Sequence, residues 1–111
     1  MGVRVVEIFY IFTFLVMFHE ERSQVSESTQ NMKRAIDSLR EEFEAIDWYN
    51  QRADACTDTE LKHILLHNAK EEKEHASMLL EWIRRHDKEL DHELKDNLFK
   101  EGGIAGQHET L

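Results

Sequence analysis

"HNAKEEKEHASMLLEW", residues 67–82, is the stretch whose reading decides the fold. Leu65, Leu79 and Trp82 recur at helical spacing and mark one side of a helix as apolar, yet Glu72 and His75 occupy the same stripe. Ionisable groups are costly to bury unless something pairs with them. A helix here therefore requires a partner for one carboxylate and one imidazole, supplied from outside the stretch.

Extended in both directions, the stripe reads Leu61, Leu65, Asn68, Glu72, His75, Leu79, Trp82 and His86, in alternating steps of three and four. The segment before it repeats the device with Met32, Ala35, Leu39, Glu42, Ile46, Tyr49 and Ala53. Between them "CTDTE", residues 56–60, offers either Asp58 as an N-cap or Thr57 with Glu60 as a capping box. The pattern predicts one helix over 26–56 and a second over 59–88. A short third, "ELDHELKDNLF" over 89–99, is stopped by Gly102 and Gly103. A turn this short makes the two long helices antiparallel neighbours. The fold class is all-α, an antiparallel two-helix hairpin with a short C-terminal helix. The expected organisation is an apolar N-terminal extension over 1–18, the hairpin domain over 19–101 and a flexible tail over 102–111.

Composition agrees. The 111 residues contain no proline, four glycines and 33% charged side chains, which favours long helices over sheet. A formal charge of −9 argues against nucleic acid or an anionic membrane as partner and suits cations. Cys56 is the only cysteine, so there is no intrachain disulfide, and a reducing compartment is the simpler assumption. The uncharged run from Ile8 to Phe18 is too short for the ~20 apolar residues of a spanning helix. Glu7 interrupts it and no small-residue cleavage site follows, so it does not read as a secretory signal; Met17 is the expected start.

With the turn near residue 57 or 58, residues whose numbers sum to about 115 lie opposite one another, which sets Glu42 against the Glu72–His75 level. Glu42 with Glu72-x-x-His75 has the ligand chemistry of half a carboxylate-bridged di-iron centre; the full site needs a second glutamate and a second Glu-x-x-His pair. Two copies of the hairpin, facing across a twofold axis, supply both and form a four-helix bundle. Carboxylate oxygen and imidazole nitrogen suit iron or manganese. The competing reading is a buried Glu42–His75 pair that fixes register in a helical dimer. Glu-x-x-His is a weak motif in so charged a run. Trp48 and Tyr49 are, by residue type alone, more often packing aromatics than redox participants. His67, Glu71 and Glu74 form a further stripe and Glu41 with Glu44 an acidic pair. The default for both is a solvated face paired with Lys70, Lys73 and Arg40.

"EEFEAIDWYNQR" and "ILLHNAKEEKEHASMLLEWIRRHD", ending in "LFKEGGI", closely resemble the encapsulated ferritins, ferritin-like proteins packaged inside encapsulin shells; the likeness runs from about His19 to Ile104. The resemblance implies a ferroxidase that oxidises Fe(II) to Fe(III) with dioxygen and supplies mineral stored in the shell. It implies two irons per dimer interface, a ring of dimers, and a cytoplasmic location within the nanocompartment. It carries the iron ligands onto Glu42, Glu72 and His75, with Tyr49 beside them. Glu41 and Glu44, near Trp48, match a metal-uptake site, and His67, Glu71 and Glu74 a peripheral one. "AGQHETL" does not look like the family's targeting peptide, and the apolar stretch before His19 is foreign to it. The rival functions are a rubrerythrin-like di-iron oxygenase or peroxidase, disfavoured by the absence of Cys-x-x-Cys pairs for an electron-transfer module, and a metal-independent helical dimerisation or adaptor module.

Overall fold

A computed structural model describes residues 18–107. Among them every regular element is helical: α1 Glu27–Ala55, α2 Thr59–His86 and α3 Lys88–Asn97, with single 3-10 turns at Arg22–Gln24 and Ala105–Gln107. The expected start at Met17 and the apolar stretch before it lie outside the described residues.

Each helix begins on an oxygen-bearing side chain that satisfies an orphan amide. The Thr29 amide donates to Ser26 Oγ at 3.2 Å at the start of α1, and the Leu61 amide donates to Asp58 Oδ1 at 2.8 Å at the start of α2. Of the two caps the sequence allowed, Asp58 is the one used. Asp87 both ends α2 and starts α3, accepting from the Leu90 amide at 3.0 Å, so no linker separates the two helices. The third helix stops at Asn97, ahead of the glycines, because Leu98 is extended and Phe99 adopts a left-handed φ of 57°.

α1 and α2 pack as an antiparallel hairpin whose inside is almost bare of large side chains. Its buried apolar residues are Ala35, Ala53, Ala69, Ala76 and Ile83. Small residues allow two helix backbones to approach closely, because interaxial distance follows the side chains at the contact. On α2 the innermost line is 69, 76 and 83, one position beyond the 68, 75, 82 line of the sequence stripe. One residue is 100° of helix rotation. The stripe read from the sequence therefore straddles two directions, one toward α1 and one open. Ile64, Met78 and Trp82 stand 11, 3 and 7 residues from His75 and share its open side. Ile64 and Met78 are more than half exposed, as is Phe43 on α1.

α3 is fastened to the end of α2 by charge. Arg84 reaches Glu81 (Nη2 to Oε2, 2.8 Å) and also bonds Asp91 on α3, while Lys95 holds the other Asp91 oxygen at 3.0 Å. The hydrogen bond from Arg84, with a smaller one from Arg85, holds the Glu81 carboxyl down at about 2. Asp91 is lowered as well, by Lys95 first and Arg84 next.

Candidate metal centre

Midway along the hairpin α1 contributes Glu42, and α2 contributes Glu72 and, one turn on, His75. One donor atom from each lies within 4.8 Å of the others, the only such trio of metal-binding side chains among the described residues. His75 Nδ1 is 3.4 Å from Glu72 Oε2 and 3.6 Å from Glu42 Oε2. Pairing by residue sum holds, since 42 and 75 add to within two of the expected register.

The arrangement has more acceptors than donors. A single imidazole nitrogen carries at most one proton, yet two carboxylates converge on it. The 3.6 Å separation is beyond hydrogen-bond reach, and Glu42 Oε2 is buried with no hydrogen-bond partner. An unsatisfied buried acceptor is expensive and rare in folded proteins. A divalent cation would satisfy Glu42, neutralise the paired carboxylates and accept the imidazole nitrogen. Hard oxygen donors with one nitrogen are the donor set that iron and manganese take. The cluster opens outward on one side: Glu42 and Glu72 side chains are 22% and 24% exposed, whereas His75 is 45% exposed. Three donors are too few for two ions, and the open side faces away from the hairpin.

The remaining candidates are not members of the trio. Tyr49, two turns along from Glu42, is half-buried, and Trp48 beside it is exposed. Glu41 and Glu44 are exposed on α1, 100° or more around from Glu42. His67 Nε2 lies 3.6 Å from Glu71 Oε1, and Glu74 is exposed beyond them. Arg40 pairs with Asp37 at 3.3 Å. The sequence reading overlooked Arg52, whose guanidinium carbon sits 5.7 Å from the Trp48 ring centre and 5.9 Å from that of Tyr49. The spacing held that information, since residues three and four apart are neighbours on a helix.

The profile of the EncFtn-like family matches residues 17–101. An encapsulated ferritin-like protein of Rhodospirillum rubrum is 55% identical over 87 residues, covering 78% of this chain and 62% of that protein. A ferritin-like protein of Thermotoga maritima is 43% identical over 88 residues, covering 79% of this chain and 77% of its own length. The crystal structure of a Nitrosomonas europaea protein aligns with a TM-score of 0.77 at 60% identity, covering 79% of this chain and 97% of that one. The chain thus spans less than two thirds of the R. rubrum relative. No helix among the described residues is long and apolar enough to cross a membrane. On the hairpin fold, the placement of the acidic–histidine trio and these likenesses, the chain belongs to the EncFtn-like family.

Proposed function

We propose that this protein is a ferroxidase whose substrate, ferrous iron, is bound between two copies of the hairpin. The observation that carries the reading is the orphaned Glu42 oxygen inside a trio of carboxylate and imidazole donors. Glu42 of each copy is shared between two ions, and Glu72 with His75 completes the hold on each. Anionic oxygen donors favour Fe(III) over Fe(II), so the ligand set itself assists loss of an electron from each ion to dioxygen; the role of the protein is to template and orient. Tyr49 flanks the site. Exposed Glu41 and Glu44 conduct cations toward it along an acidic surface, and His67, Glu71 and Glu74 offer a peripheral resting place.

The open apolar side around Ile64, Met78 and Trp82 supports pairing, because exposed apolar patches on small proteins mark association surfaces. The reading extends to a ring of dimers and to delivery of ferric mineral inside an encapsulin shell in the cytoplasm; the name of the R. rubrum relative, an encapsulated ferritin-like protein, supports the association with a shell.

The test is oxygen uptake. Anaerobic protein loaded with Fe(II) is mixed with oxygenated buffer, and consumption is followed with an electrode. The wild type outpaces ferrous iron in buffer, whereas Glu42→Ala, which removes the shared carboxylate from both copies, falls to the buffer rate. Wild-type kinetics in Glu42→Ala exclude the centre.

A further inference from the structure

Arg52 stands in the last turn of α1, four residues after Trp48 and three after Tyr49. That spacing sets one guanidinium over two neighbouring rings, at 5.7 Å and 5.9 Å from their centres. Both separations are within the ~6 Å at which a cation is attracted to the negative face of an aromatic ring. The attraction works in both directions. A ring that stabilises a cation is also a ring from which an electron is harder to remove, because the radical cation left behind would face the same positive charge. Trp48 and Tyr49 follow Glu42 on α1 by six and seven residues, and Trp48 is exposed. Trp82, on the other helix, stacks on His86 at 3.9 Å and 16°, and among the described residues no arginine or lysine stands over its ring.

The geometry points to Arg52 as a positioning residue that holds Trp48 and Tyr49 and, by its charge, keeps both rings from being oxidised. The importance of such protection rests on the ferroxidase reading, since oxygen chemistry on the same helix as an exposed indole is what makes it useful. The electrostatic claim itself does not rest on that reading, and can be tested without iron.

The metal-free full-length protein is exposed to hexachloroiridate(IV), an outer-sphere oxidant. One hexachloroiridate(IV) takes an electron from an indole and the radical loses its N–H proton to water; a second takes the second electron as water adds its oxygen, giving an oxindole product, two hexachloroiridate(III) and two protons. Stable products at Trp48 and Trp82 are quantified by peptide mass spectrometry, with Trp82 as the internal reference. Replacing the cation by a neutral side chain, Arg52→Gln, raises the Trp48 to Trp82 product ratio roughly two- to fivefold, the range expected for losing an exposed cation–π contact. Arg52→Lys keeps the charge and holds the ratio near wild type. An unchanged ratio in Arg52→Gln overturns the proposal. So does an equal rise in both variants, which would mean that the guanidinium merely covers the ring. Repeating the measurement during Fe(II) turnover separates the two readings: if the chain oxidises no iron, the iridate result still stands on its own.

Discussion

Replacing Glu42 by methionine stabilises the metal-free protein. Methionine has nearly the volume of glutamate and no acceptor to leave stranded, so Glu42→Met removes the buried unpartnered oxygen without opening a cavity. An unsatisfied buried acceptor costs about 1–3 kcal/mol. The Glu42 side chain keeps 22% exposure, which selects the lower end, about 1 kcal/mol. For a domain of this size that corresponds to a rise in Tm of about 4–8 °C. Thermal unfolding followed by circular dichroism in EDTA at pH 8, at matched protein concentration, measures it. The same melt with excess Mn(II), a redox-quiet stand-in for Fe(II), supplies the counterpart. Metal binding to the folded wild type raises its Tm by mass action, and the variant lacks that response. Stability and metal affinity then trade against each other at a single oxygen atom. A variant that melts at or below the wild type in EDTA refutes the claim that Glu42 is held at a cost.

Two other expectations follow from the fold. Glu81 and Asp91 have folded-state values below their ordinary ones, so their contribution is complete above about pH 4.5 and is lost as pH falls through that window toward about 2. Methyl NMR shifts of Leu90 and Leu94 should therefore step in that range as α3 loosens; Arg84→Met should abolish the step, and identical titrations would show that the ion network does not hold α3. Ala76→Leu overpacks the closest approach of the hairpin and should cost about 1–3 kcal/mol, read as a lower urea midpoint at unchanged slope. An unmoved midpoint would mean that the small-residue contact is not tight.

The helical periods, the Asp58 cap and the opposition of Glu42 to Glu72 and His75 were all legible in the sequence, because each is fixed by local spacing or by one short turn. The phase of α2 was legible only in part. Large apolar residues such as Leu79 and Trp82 drew the stripe toward the open side, while two of the three buried residues of α2 are alanines, Ala69 and Ala76, whose small size makes them weak markers in any hydropathy pattern. The end of α3 was misplaced by two residues because the glycines at 102 and 103 looked like the stop, whereas the reversal occurs at Phe99. The Arg84 network escaped because it joins two helices through a bend whose angle no periodicity encodes. Arg52 escaped for a different reason: its partners are aromatic rings, which no pairing of opposite charges marks in the sequence.

The methyl-lined interior of the hairpin has a consequence for the life of the chain in a cell. Burying alanine withdraws little surface from water, so an isolated copy holds its shape by a narrow margin and opens often. Frequent opening invites degradation. If copies pair as proposed, pairing protects the chain, and its standing amount depends on how fast copies meet as well as on how fast ribosomes deliver them.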